Sequence, residues 1–246
     1  MTSTRRPTVG MVYPGHAAED EYPAAARTLD VHLPVAHVYG TDLHAVPELL
    51  DLGSPERLAG GAEQLARHRP DAVMWACTSG SFVYGRDGAR EQAAALARVT
   101  GVPTSSTSLA FVAALEALGA SRVAVAATYP QDVAELFGGF LTAAGVEVVS
   151  LSGAGIVTAA EVGTLPPEEV VDLAVHHDHP RAEVLLVPDT AMRTLHVLPA
   201  LESRLGRPVL TANQVTIWYG LLLAGARPHA PTLGTLFARK QDHAHQ

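Results

Sequence analysis

The chain has 246 residues, 48% of them apolar and 17% charged, with 17 Lys and Arg against 25 Asp and Glu and a formal net charge of −8. That composition supplies material for a sizeable core and excludes a disordered protein, which needs low hydrophobicity and dense charge. The acidic balance, 5% aromatics and no basic run beyond Arg5-Arg6 argue against a nucleic-acid surface, which needs clustered cations and stacking platforms.

In chain order, short β-rich runs fall at Thr8–Tyr13, His32–Val38, Ala72–Ala76, Val102–Thr104, Arg122–Thr128, Val146–Leu151, Val184–Val187 and Val209–Leu210. Between them lie Ala-, Leu- and Glu-rich helical patterns, among them Glu91–Val99, Leu109–Leu118, Val133–Ala143 and Pro167–His176. Strands alternating with helices predict βαβ units and a mostly parallel sheet. Gly85-Arg86-Asp87-Gly88 reads as a loop.

No apolar run approaches the roughly 20 residues of a membrane span. Pro14-Gly15 cuts short the first apolar segment, where a secretory leader would need a longer one. Cys77 is the single cysteine, so no intramolecular disulfide or multi-cysteine zinc site can form. A cytoplasmic setting is expected, with neither a membrane nor nucleic acid as partner.

An internal repeat carries more information than the strand list. Thr8–Pro14 resembles Arg122–Pro130, and both end in Tyr-Pro. DAVMWACTSG (71–80) aligns without a gap on EVLLVPDTAM (183–192), pairing Cys77-Thr78 with Asp189-Thr190. GVPTSST (101–107) matches GRPVLTANQ (206–214). The fold class expected is therefore α/β, with two pseudo-symmetric lobes of roughly 110 residues. The first lobe spans 1–111, the second 112–225, and segment 226–246 packs back on the first lobe and ends in a flexible tail. Ligands of open α/β sheets sit beyond the carboxyl ends of the strands. A cleft shared by both lobes would gather Tyr13, Cys77, Tyr129 and Asp189, framed by loops around 14–22, 41–47 and 153–166.

Each of these residues has two readings. Cys77 precedes Thr78-Ser79-Gly80-Ser81, a polar turn that should open a helix; there a thiol pKa falls and hydroxyl and backbone donors suit a carboxylate. Otherwise it is an inert buried cysteine. Asp189 either moves a proton across the cleft or caps a helix. Tyr129 either gives a hydrogen bond to a substrate oxygen or packs, and Tyr13 has the same pair of readings. His176-His177-Asp178-His179 sits at a helix end, where histidines complement the dipole, and no distant ligands with metal-site spacing accompany it. No phosphate loop, dinucleotide fingerprint or HExxH motif is present. Arg86, Arg90 and Arg193 are either a second carboxylate clamp or surface residues.

With these residues assembled, the chain resembles the aspartate/glutamate racemase superfamily, especially its maleate isomerase and arylmalonate decarboxylase branch. The resemblance rests on Ala76-Cys77-Thr78-Ser79-Gly80-Ser81, Thr128-Tyr129 with Asp132-Val133, Arg204–Val209, and Thr211-Ala212-Asn213-Gln214 with Trp218. It implies two lobes with the active site between them, no cofactor and no metal, and a small carboxylate substrate. It also implies that Thr78, Ser79 and Tyr129 hold that carboxylate; from their places at the strand ends, Thr190 and Tyr13 are expected to bind substrate as well. Family members often form oligomers, which makes a homo-oligomer an option of unspecified size. Maleate isomerases of this type add a thiolate to the alkene, and Cys77 stands in that first-lobe position. The second cysteine usual in racemases and isomerases is replaced here by Asp189. Arylmalonate decarboxylases show the opposite arrangement, keeping the second cysteine and lacking the first. The asparagine expected near the first strand is also missing, with Pro14-Gly15-His16 in its place. The leading expectation is a cofactor-independent isomerase acting through Cys77 and Asp189. A lyase or hydrolase on the same scaffold, or a non-catalytic carboxylate binder, are the alternatives.

Overall fold

The computed structural model describes residues 5–15 and 17–239. His16 and the expected flexible tail, including the closing His243–Gln246, lie outside the described residues. Among the described residues, eight strands form two four-stranded parallel sheets. The first contains β1 (Val9–Pro14), β2 (Val35–Val38), β3 (Ala72–Trp75) and β4 (Thr104–Ser106); the second contains β5 (Arg122–Ala127), β6 (Glu147–Gly153), β7 (Val184–Val187) and β8 (Val209–Thr211). Their orders, β2-β1-β3-β4 and β6-β5-β7-β8, are the same. This is the two-lobed α/β architecture expected, and each strand lies within a few residues of its sequence position. Strand β2 starts at Val35, although a single bridge from Thr8 to His32 precedes it.

Because side chains alternate across a strand, each sheet feeds two apolar layers. Val9, Met11, Met74, Val123, Val125, Val184 and Leu186 all point into one core shared by both sheets. The opposite faces, with Val12, Val73 and Trp75 in one lobe and Ala124, Leu185 and Val187 in the other, pack against their own outer helices.

The helix Gly85–Thr100 begins six residues before the pattern expected and absorbs the Gly85–Gly88 stretch read as a loop. Two glycines weaken helix propensity, but packing overrides so local a preference. The helix Ala212–Leu223, which follows β8, lies on β1 and β3 of the other sheet. Gly220 permits that approach: a Cβ there would sit 2.6 Å from Val9 Cγ1 and 2.9 Å from Met74 Cγ. Leu233, Leu236 and Phe237 of the C-terminal segment are buried in the shared core. Its hydrogen bonds go to Ala117, Glu202 and Gln214, and Thr232 and Leu233 share a cavity wall with Glu21 and Ala24 of the first lobe. Among the described residues, no helix is long and apolar enough to cross a membrane.

Polar side chains tie the lobes together around the strand ends. Glu21 accepts the N–H groups of Thr194 and Leu195, both at 2.7 Å, and Asn213 Nδ2 at 2.8 Å. Asn213 in turn accepts the Tyr22 hydroxyl at 2.9 Å. Arg193 bonds the Asp20 carboxylate and the carbonyls of Ala17 and Gly163. Burial pushes the Glu21 carboxyl up to about 7 against the pull of its three donors. The folded protein therefore keeps this proton to about pH 7, while the unfolded chain releases it near 4.5. Between those values the native state binds more protons, so stability falls as pH rises through that window. Denaturant unfolding at pH 5 and pH 7 is expected to show the wild type losing about 2 kcal/mol more than Glu21→Gln across that interval. Equal losses in the two proteins would contradict this role.

Candidate active site

The carboxyl ends of β1, β3 and β7 open on a cavity of about 220 Å³. Tyr13, Cys77, Ser79, Asp189 and Thr190 line it, together with Tyr39, Asp42, Leu43 and His44 from the loop after β2. Ala159, Ala160 and Ala191 face it from the second lobe. Among the described residues, no Lys or Arg lines this cavity.

Cys77 leaves β3, whose four residues are all buried, just before the single-turn helix Ser79–Phe82. Its Sγ accepts the Gly80 N–H at 3.3 Å and lies 3.7 Å from Ser79 Oγ. Gly80 is needed there, since a Cβ would meet Trp75 at 2.8 Å and Cys77 Sγ at 3.1 Å. The Gly80 carbonyl is held by Trp75 Nε1 and Gln92 Nε2, so this turn is fixed from behind. Burial pushes the thiol up to about 11; the Gly80 and Ser79 donors pull it back, and the Asp189 charge adds to the rise. The lowered pKa expected from a helix N-terminus is therefore reversed. One turn of helix carries little dipole, and no cation faces the sulfur to offset the loss of water.

Asp189 leaves β7 at the position equivalent to Cys77. One carboxylate oxygen accepts the Ala191 N–H at 2.9 Å and the other accepts the Thr128 hydroxyl. No helix begins there, since the next one is Leu198–Leu205, so the side chain closes a turn rather than capping a helix.

The two tyrosines spend their hydroxyl protons on backbone. Tyr129 donates to the Pro188 carbonyl at 2.8 Å, is fully buried and stands behind the cavity wall. Burial holds its phenol well above the usual range. Tyr13 donates to the Thr190 carbonyl at 2.9 Å and accepts the Ala18 N–H at 3.0 Å, leaving its ring to face the cavity. Thr78 is buried beside Tyr129, and its Oγ1 makes no hydrogen bond of acceptable geometry. Cys77, Asp189, Ser79, Thr190 and Tyr13 thus meet at one cavity, with Thr78 and Tyr129 directly behind.

The arginines lie elsewhere. Arg193 is engaged in the lobe tie, Arg86 bonds the Ala143 carbonyl at 2.9 Å, and Arg90 pairs with Asp87. Among the described residues, no three His, Cys, Asp or Glu side chains gather closely enough to hold a metal ion.

His44 is the residue that reading the sequence missed. It is buried, its Nδ1 lies 3.0 Å from the Ile156 carbonyl, and its Nε2 lies 3.9 Å from Asp189 Oδ2. The Tyr129 ring meets it edge-on at 4.9 Å. Nothing local marks it, because it is a lone histidine in a loop and its polar partners, Ile156 and Asp189, are more than a hundred residues away. Only the expectation that loop 41–47 frames the pocket pointed there.

The arylmalonate decarboxylase family model matches residues 50–237. Arylmalonate decarboxylase of Bordetella bronchiseptica is 30% identical over 241 residues, which cover 96% of this chain and 99% of that protein. Maleate isomerase of Geobacillus stearothermophilus is 26% identical over 185 residues, 73% of this chain and 74% of that one. Among solved structures, a Nocardia farcinica maleate cis-trans isomerase variant with a covalently bound succinylcysteine intermediate superposes with a TM-score of 0.86. It is 23% identical and covers 94% of this chain and 98% of its own. The protein is therefore an enzyme of the arylmalonate decarboxylase family, in the branch of the aspartate/glutamate racemase superfamily that also holds the maleate isomerases.

Proposed function

We propose that the protein releases carbon dioxide from a small substituted malonate, and that the Cys77 thiol supplies the proton replacing the lost carboxyl group. The observation that carries this reading is the burial of Cys77 beside Asp189 in a cavity whose described lining holds no Lys or Arg, which pushes the thiol up to about 11 and favours S–H at neutral pH. In the step proposed, the bond from Cα to one carboxyl carbon breaks and carbon dioxide leaves. The electron pair stays on Cα and spreads into the remaining carboxyl group. The S–H bond then breaks as Cα–H forms, and water returns the proton to the thiolate.

The cavity lining supports each part. The Ser79 hydroxyl and the N–H groups of its turn are suited to hold the carboxyl group on which charge builds up, with Thr78 supporting that turn from behind the wall. Leu43, Leu49, Leu52 and the alanines offer no counter-ion to the other carboxylate, which favours its departure as a neutral molecule. The full-length decarboxylase relative points the same way.

Isomerisation of a maleate-like alkene is the second reading, favoured by the isomerase relatives and the first-lobe position of Cys77. It needs a standing thiolate. Forming one at pH 7 from a thiol of pKa about 11 costs about 5 kcal/mol, which the substrate's own negative charge would not reduce. For that reason proton donation is placed ahead of thiolate addition.

Proton NMR in heavy water, with methylphenylmalonate and maleate present together, separates the two. Loss of the malonate with deuterium at the new Cα–H is expected, slowed roughly a hundred- to ten-thousandfold by Cys77→Ala. Cys77-dependent fumarate with the malonate untouched would instead establish isomerisation. The thiol's state is open to direct test because Cys77 is the only cysteine. Its rate of alkylation by iodoacetamide is expected to rise about a hundredfold between pH 8 and pH 10, against about fourfold for an ordinary thiol. A fourfold rise would remove the basis for proton donation.

A further inference from the structure

We infer that His44 and Asp189 form a paired acid that delivers a proton to the face of the substrate opposite Cys77, an inference that rests on the decarboxylase reading above. It gives this chain a second proton-handling group built from a histidine of the first lobe and a carboxylate of the second.

The backbone brings His44 to Asp189. Residues 42–44 leave the first lobe and run antiparallel to residues 156–159 of the second. Leu43 bridges Thr158, the His44 N–H donates to the Val157 carbonyl at 2.8 Å, and the Ala159 N–H donates to the Asp42 carbonyl at 2.9 Å. The imidazole is thereby pinned to second-lobe backbone at the cavity wall. A carbonyl oxygen can only accept, so the 3.0 Å contact with Ile156 requires the proton on Nδ1. The other nitrogen, Nε2, is then left facing Asp189 Oδ2 at 3.9 Å.

Both Asp189 oxygens already accept one donor, from Ala191 and Thr128, and what they present to His44 is further lone pairs. Two sets of lone pairs opposed at 3.9 Å in a buried site repel, and a proton carried by either group turns that repulsion into a charge or dipole attraction. The pair therefore holds one proton, on Nε2 or on the carboxylate. The other titratable groups around it are Tyr129, edge-on to the ring, and Tyr13, Tyr39, Cys77 and Asp42 of the cavity wall. None of these is a cation that would displace the proton.

The repeat supplies the direction of delivery. Asp189 follows β7 as Cys77 follows β3, at equivalent places in two sheets of the same strand order. The two groups thus approach a bound substrate from opposite lobes. When the pair delivers its proton, an N–H or O–H bond breaks and Cα–H forms. A neutral imidazole and a carboxylate remain, and water recharges them.

Stereochemistry separates the two donors. With prochiral methylphenylmalonate, the wild type is expected to make mainly one enantiomer of the product acid. Cys77→Ala, at its much lower rate, is expected to make mainly the other. His44→Asn should enrich the wild-type enantiomer further, and adding it to Cys77→Ala should remove the inverted product. A racemic product from Cys77→Ala, or an inverted one that survives His44→Asn, would overturn the assignment. Nitrogen NMR of histidine-labelled protein tests the pair without substrate. At pH 7 the His44 ring is expected to carry protons on both nitrogens in the wild type, or on Nδ1 with a neutral Asp189 carboxyl. In Asp189→Asn it should carry a proton on Nδ1 alone. A bare Nε2 beside an ionised Asp189 in the wild type would sink the pair. Failure of the wild type to decarboxylate would count against the function reading and leave this measurement to decide the pair.

Discussion

Two parallel sheets of the same strand order turn their carboxyl ends toward one another, and the chemistry of this protein follows from what closes that gap. The closure is polar and buried: Tyr13 reaches the Thr190 carbonyl, Glu21 takes two N–H groups of the facing loop, and Arg193 grips Ala17 and Asp20. Each tie joins a residue near the end of β1 to the loop after β7. A carboxylate buried at neutral pH is expensive, and Glu21 is tolerated because three donors converge on it. The ties hold the cavity walls in register, so that side chains leaving β3 and β7 face a common space.

That same burial decides the state of the nucleophile candidate. A thiol at a strand end is commonly activated by a neighbouring cation or a long helix. Cys77 has a one-turn helix, one N–H donor and a carboxylate as its charged neighbour. Desolvation dominates, and the sulfur keeps its proton. A described lining without lysine or arginine suits a reaction in which a carboxylate departs as neutral carbon dioxide and leaves its electron pair on Cα, and it suits a proton donor that must not be ionised beforehand. The high thiol pKa thus follows from burial beside Asp189 with no lysine or arginine on the described cavity wall.

Much of this was legible in the sequence, because it depends on local pattern. The eight strands show as short apolar runs, and the gapless alignment of residues 71–80 on 183–192 equates Cys77 with Asp189 before any coordinates are known. The parts that stayed hidden are long-range. His44 reaches Asp189 only because residues 42–44 pair with 156–159, and Glu21 and Asn213 meet across almost two hundred residues. The Tyr129 and Tyr13 hydroxyls look free in a sequence and are taken by carbonyls in the fold. The sign of the Cys77 shift is hidden for the same reason. A polar turn marks where a helix opens, while its length and the lack of a nearby cation are tertiary facts.

The central claim is that Cys77 works as a protonated thiol, and the most direct measurement is the pH dependence of kcat/KM for methylphenylmalonate. A thiol of pKa about 11 predicts a rate that does not rise between pH 7 and pH 9, since the S–H form stays in place across that range. A rate that climbs about tenfold per pH unit over the same interval would mean that the thiolate is the active form, and would contradict the account.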